Sequence, residues 1–184
     1  EETKSIDFNA YLNKIGASSI DVVYIFLGAN GLTRTEAIKN TKQEYCKIVV
    51  KEAKVLVDKL KKDLPNVKVK ILAPQLFSLN GGTGSNYGAD LPLTDTYEIT
   101  HYVMELNLAY KNWANENEYN DYLEFVHLTA QFDTEYGYPS IQKPVNVRST
   151  TLERLDVNAC HPTNEGKMQI ADAVYRNLVK EISK

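Results

Sequence analysis

The residues best placed to do chemistry are near the end of the chain, in Asp156-Val157-Asn158-Ala159-Cys160-His161-Pro162. Histidine is the side chain that takes up and gives back a proton near neutral pH. Here it is followed by proline and by Thr163-Asn164-Glu165-Gly166, where Thr163 or Asn164 can cap the first turn of a helix. A short loop feeding a helix holds an imidazole in one place while a ring edge stays open to a cleft. Ala171, Val174, Tyr175, Leu178 and Ile182 recur at the three-and-four spacing of one apolar stripe and predict a buried helix face over about 167–182. A lone histidine at a helix start is more often structural than catalytic, so its meaning depends on what else reaches the same place.

The elements that would position it alternate. Residues 1–19 allow one or two helical turns around Phe8, Tyr11, Leu12 and Ile15. Asp21-Val22-Val23-Tyr24-Ile25-Phe26-Leu27 is apolar on both faces, as an inner parallel strand is, and stops at the turn sequence Gly28-Ala29-Asn30-Gly31. A helix is expected over about 35–62, with Ile38, Tyr45, Ile48, Val49, Leu56 and Leu60 inward and Pro65 just past its end. Val67 to Leu72 reads as a second strand closing at Ala73-Pro74. A further helix begins near Thr94 or Asp95 with the stripe Ile99, Val103, Leu106, Tyr110 and Trp113, and Tyr122–Leu128 is a third strand. His127 falls inside that strand and reads as a core or sheet-face histidine; His101 reads as a surface residue of the helix. Residues 134–157 form a long connection, of the kind that is functional or mobile in a compact domain.

The order β-α-β-α-β-loop-α implies a parallel sheet with right-handed crossovers, whose ligands bind beyond the carboxyl ends of the strands. Those ends are Gly28–Gly31, Ala73–Gln75 and Gln131–Asp133, and His161 arrives from the loop after the last strand. The stretch from Asn80 to Gly88 is glycine-rich but lacks the Lys-Ser/Thr of a phosphate loop, and reads equally as surface loop or substrate rim.

Composition excludes several classes. The 184 residues suit one domain, 1–184, with a core of its own. A net charge of −3 gives no electrostatic case for nucleic acid, and no apolar run reaches the about 18 residues that cross a membrane. Cys46 and Cys160 make neither a disulfide framework nor a metal site. Cys160 makes a poor nucleophile for His161, since neighbours on an extended loop point apart. The chain opens Glu-Glu-Thr-Lys without methionine, as a processed product or an excised piece would.

Gly28-Ala29-Asn30 after a buried strand, with a late His161-Pro162 before a terminal helix, resembles the SGNH/GDSL hydrolase family over most of the chain. The resemblance is strongest to a subgroup associated with phage-like structural proteins. There a Pro-Val-Asn-x-Arg segment and a His-Pro-x-x-x-Gly-x-x-Gln-Ile-Ala-Asp run occur late in the domain; here they are Pro144–Arg148 and His161–Asp172. The resemblance implies a three-layer αβα, flavodoxin-like fold and a serine attacking an ester, with no metal or organic cofactor. It implies that Asn30 donates to the oxyanion and His161 accepts the serine proton. Asn158 can orient the ring as a neutral amide but supplies no charge; Asp156 or Asp133 can supply it, or a backbone carbonyl can hold the ring. Gly28, Gly31, Asn80, Tyr87 and Arg148 become candidates for substrate contact, the substrate being a small-molecule or glycan ester.

Three departures qualify it. The Gly-Asp-Ser block is absent, so the chain looks like the C-terminal part of such a domain, lacking its first two strands and its nucleophile. Gly31 stands where the family's Gly-x-Asn-Asp has its last residue, and Asn158 where an aspartate precedes the histidine by three. The chain alone is therefore expected to be inactive as an esterase, and a second polypeptide carrying the missing segment is an expected partner. The rival is a non-catalytic SGNH-like binding or structural module of a virion or cell-surface assembly. A generic flavodoxin-like domain is disfavoured by the lack of a phosphate or acid-cluster signature.

Overall fold

A computed structural model describes residues 7–28, 42–74, 96–156 and 161–184; at 42–43, 96–99 and 155–156 it describes backbone alone. Helix α1 (Phe8–Ile15) is started by Asp7, whose carboxylate accepts from Ala10 N at 2.9 Å, and ended by Gly16 at φ 69°. Strands β1 (Val22–Phe26), β2 (Lys68–Leu72) and β3 (Leu123–Val126) form a parallel sheet in the order β1-β2-β3. Val22 pairs with Lys68, and Val69 with Leu123. Helix α2 (Lys42–Asp63) joins the first two strands and α3 (Thr96–Ala114) the second two.

The main core fills one side of this sheet. Ala53, Val57 and Leu60 of α2 meet Val69 and Ile71 of β2, and Val103, Leu106, Tyr110 and Trp113 of α3, all of them buried; α1 adds Leu12. Four residues of the predicted α3 stripe are thus inside. A buried Leu or Val contributes about 1.5–3 kcal/mol, so these few contacts fix how the two helices lie on the strands. On α2 the stripe is shifted: Ile48 is exposed, and Cys46, Ala53 and Val57 take the inward positions beside Tyr45 and Leu60.

Helix α5 (Asn164–Ile182) covers the opposite side, where Ala173, with Ile170 and Val174, packs on Leu72, Val126 and Leu128. The stripe expected to be buried packs only in part: Val174 reaches the small core and Leu178 is half-buried. Ala171, Tyr175 and Ile182 are exposed, and the inward face is instead Gly166, Ile170, Ala173, Val174, Asn177 and Glu181. Periodicity finds an apolar face but not what covers it.

Two further expectations change. The connection expected over 134–157 holds, in its described residues 134–156, a helical turn, α4 (Thr134–Gly137), and an antiparallel pair, β4 (Ser140–Pro144) with β5 (Leu152–Asp156). Pro144 sits at the end of β4, where a missing N–H costs a ladder nothing. β3 stops at Val126, and His127, just past it, is exposed and packs edge-on against Phe125 at 4.6 Å between ring centres. The histidine is therefore not in the core. His101 is exposed, as expected.

Candidate functional site

The start of α5 is tied to the carboxyl edge of the sheet by four residues of the late motif. Thr163 caps the helix, its hydroxyl accepting from Gly166 N at 3.1 Å, and its own N–H donates to Gly137 O at 2.8 Å. Gly166 lies so close to α4 that a Cβ there would stand 2.4 Å from Gly137 O and 2.8 Å from Pro162 Cβ. Gln169 Oε1 accepts from Asp133 N at 2.6 Å, one turn further on. Ile170 then enters the small core with Leu72 and Val126. Thr163, Gly166, Gln169 and Ile170 therefore each have a mechanical reason, and together they fix the start of the helix two residues after His161, which is exposed to solvent.

The turn after β1 is pinned from the other side of the sheet. Gly28 has φ 102°, which side chains rarely adopt, and a Cβ there would lie 2.4 Å from Leu106 Cδ2. The Tyr45 hydroxyl donates to Gly28 O at 3.1 Å and the Tyr110 hydroxyl to Leu27 O at 3.4 Å. Burial pushes Tyr45 up to about 12 and Tyr110 up as well, so both remain neutral donors. The same burial lifts the Cys46 thiol to about 11, which removes it as a thiolate nucleophile.

Between these two anchors the ends of β2 and β3 are linked through a residue that sequence reasoning passed over. Asn107 of α3 is 7% exposed; its Nδ2 donates to Val103 O and its Oδ1 accepts from Thr129 Oγ1, both at 2.8 Å. Thr129 Oγ1 is also 3.4 Å from Pro74 O. The signal was present: Asn107 follows Val103 by four, on the buried face.

Of the predicted site residues, Gly28 and His161 are held at the carboxyl edge of the sheet. Arg148 is exposed in the turn between β4 and β5, its N–H donating to Asn146 Oδ1 at 2.9 Å, so Asn146 shapes that turn. Asp156 ends β5 opposite Ser140. Asn30, Gly31, Asn80, Tyr87 and Asn158 lie outside the described residues, and so does the side chain of Asp156. Asp133 spends one carboxylate oxygen as the cap of α4, accepting from Glu135 N at 2.8 Å. No group of three or more His, Cys, Asp or Glu positioned for a metal occurs among the described residues. The arrangement offers an exposed histidine just before a capped and tethered helix start, at the edge where a parallel sheet gathers its turns.

The far end of α5 is held by charge. Lys70, its side chain 3% exposed, bonds Glu124 and Glu181, each at 2.6 Å. Asn177 accepts from the Tyr24 hydroxyl at 2.8 Å and donates to Glu124 at 3.1 Å. The Lys70 and Lys184 ammonium groups hold Glu181 down at about 2. Burial alone would raise Glu124, but Lys70 outweighs it and its pKa is lowered.

No family model matches the chain, and no curated protein matches it. Solved structures do. A Streptococcus pneumoniae protein described as a candidate platelet activating factor is 13% identical over 94% of this chain and 68% of its own, with a TM-score of 0.55. The aryl esterase of M. smegmatis is 14% identical over 98% of this chain and 71% of its own, at 0.54. Phospholipase A1 of Streptomyces albidoflavus is 14% identical over 91% and 76%, at 0.51. The chain thus has the α/β SGNH-hydrolase fold, with the parallel sheet expected of it.

Proposed function

We propose that this chain is the histidine-bearing part of an SGNH-type ester hydrolase, acting on an acyl or carbohydrate ester with a serine supplied from outside the chain. The observation that carries the reading is His161, exposed two residues before the Thr163 cap that is tied to Gly137, at the sheet edge that also holds the Gly28 turn. The fold held in common with an aryl esterase and a phospholipase A1 supports it.

In that reaction the serine oxygen bonds to the ester carbonyl carbon as His161 takes the hydroxyl proton. The tetrahedral oxyanion then expels the alcohol, which receives that proton from His161. Water repeats the sequence on the acyl-serine and releases the acid. Asn30 donates to the oxyanion, a role worth about 10²–10³ in rate where such donors have been removed. Asp156 or Asn158 orients the imidazole, and Arg148, Asn80 and Tyr87 border the substrate. No metal or organic cofactor enters any step.

The test is hydrolysis of p-nitrophenyl acetate by an assembly that includes the serine segment. Loss of turnover in His161→Ala with an unchanged melting temperature is the expected result, and full turnover by that variant would sink the reading. The 184 residues alone are expected to give no serine-dependent hydrolysis.

A non-catalytic module is the second reading, favoured by Gly31 and Asn158 where the family pattern has acids. An assembly with an intact serine and no turnover on any ester would select it.

A further inference from the structure

Helices α2 and α3 both return from the carboxyl edge of the sheet to its amino edge, and so lie side by side over the main core. Between them, on the side of the sheet away from α5, is a groove of about 410 Å³. Val50 of α2 and Leu108 and Ala109 of α3 give it apolar walls, and the buried Trp113 lies at its base. Leu108 is 53% exposed, an apolar side chain that the core does not claim.

Trp113 is the anomaly of this core. It is 1% exposed, and its Nε1 is the one buried side-chain polar atom among the described residues that has no hydrogen-bond partner. Buried donors are rarely left so. Its ring neighbours Tyr110 and Tyr119 both find acceptors, at Leu27 O and at the Asp58 carboxylate. Lys54 lies over the same indole, with Nζ 5.8 Å from a ring centre, and pairs with Glu116 at 2.8 Å. The two side chains of that bridge are 31% and 48% exposed, so the bridge is weak and can open.

Charge and size decide what the groove takes. Lys47, Lys51 and Lys54 line it against two carboxylates, Glu105 and Glu116. Among the described residues Lys47 and Lys51 have no ion-pair partner. An excess of one positive charge, with an unpartnered N–H at the base, suits a monoanion whose charged end also accepts hydrogen bonds. Glu105 stands at the end away from Trp113 and repels that charged end, which therefore lies towards Lys51 and the indole. The apolar walls suit a hydrocarbon body. The volume falls within the about 300–1,000 Å³ of small-molecule sites. The Lys54–Glu116 bridge closes the Trp113 end, so a small molecule fits better than a partner helix laid along the groove.

We propose that the groove between α2 and α3 binds a linear monocarboxylate, with its carboxylate between Lys51 and the Trp113 indole and its hydrocarbon chain along Val50, Leu108 and Ala109. Binding is independent of the hydrolase reading, since the groove takes the acid whether or not the chain contributes to turnover of an ester.

Trp113 is the sole tryptophan, so the purified 184-residue protein has a single indole N–H resonance to follow. The test is its titration with sodium decanoate below the micelle-forming concentration. The expected result is a saturable shift of that resonance at one equivalent. Lys51→Glu, at an exposed position, should weaken binding about tenfold by turning an attraction into a repulsion. Leu108→Asp, also exposed, should weaken it as well, and 1-decanol, which lacks the charge, should bind more weakly than decanoate. An indole resonance that decanoate leaves unmoved overturns the proposal. So does 1-decanol binding as tightly, or an unchanged affinity in Lys51→Glu or Leu108→Asp. A resonance that moves on dilution without any ligand would mean that this helix face self-associates, and would overturn the proposal too.

Discussion

Gly166 of α5 and Gly137 of α4 touch backbone to backbone, with 2.4 Å left between a Cβ at 166 and the Gly137 oxygen. Alanine is the better helix former by about 1 kcal/mol, so on propensity alone Gly166→Ala would stabilise. The clash is with a carbonyl whose chain is already held by Thr163 N, and such overpacking costs about 1–3 kcal/mol. The net expectation is a lower melting temperature, together with a shift of the His161 ring resonances as the start of α5 moves. An unchanged spectrum would show that this contact does not set the position of the histidine.

Gly28 combines two separate demands, and they can be pulled apart. Gly28→Ala meets Leu106 at 2.4 Å and also places a side chain at φ 102°. Strain of this kind costs about 1–3 kcal/mol. Leu106→Ala in the same chain removes the clash but leaves the backbone conformation. The double variant should therefore show coupling between the two sites in a denaturation cycle, yet Gly28→Ala should remain destabilising in the Leu106→Ala background. If it becomes neutral there, the backbone conformation carries no cost and Leu106 alone dictates the glycine.

Much of this fold is legible in the sequence because the core is apolar at regular intervals. The run Val22–Phe26 and the spacing Val103, Leu106, Tyr110, Trp113 have no other good explanation. The errors have physical causes. On α5 the packing face mixes Ile170, Ala173 and Val174 with Gly166, Asn177 and Glu181, while Tyr175 and Ile182 of the more regular apolar stripe are exposed. Every residue of β4 is exposed and its ladder ends in proline, so no burial pattern announces the β4–β5 pair. At the site, the motif around His161 was visible, but the reason for its glycine was not. That reason is the nearness of Gly137, a contact between residues far apart in the chain that no local pattern contains.

The Lys70 cluster gives a pH dependence whose sign is fixed. Glu181 titrates at about 2 in the folded protein, against 4.5 for an ordinary glutamate, and Glu124 is lowered as well. Between those values the unfolded chain binds more protons than the folded one, so stability rises with pH. The contribution is complete above about 4.5 and is lost as pH falls towards the folded value. Glu181→Gln should flatten the slope of unfolding free energy against pH in this window. Lys70→Ala should be worse at neutral pH, because Glu124 and Glu181 lose the ammonium they share and keep as direct partners only Asn177 and the exposed Lys184; with Glu124 more than a third exposed the loss is at most about 3 kcal/mol. Urea denaturation at a series of pH values checks both, and an unaltered acid slope in Glu181→Gln would assign the dependence to other carboxylates.

Asn107 and Thr129 are the last pair whose value can be separated from their presence. Thr129→Val removes the donor to Asn107 Oδ1 and leaves a buried acceptor unsatisfied, which costs about 1–3 kcal/mol. Asn107→Leu alone leaves the threonine hydroxyl with Pro74 O at 3.4 Å as its remaining partner, a smaller loss because Thr129 is only half buried. Replacing both removes the polar pair whole, and the double variant should recover most of what Thr129→Val lost. Chemical denaturation of the three variants gives the coupling directly. Recovery would mean that this pair is interchangeable with apolar packing; continued loss would mean that the link between the ends of β2 and β3 is itself needed to hold the sheet edge together.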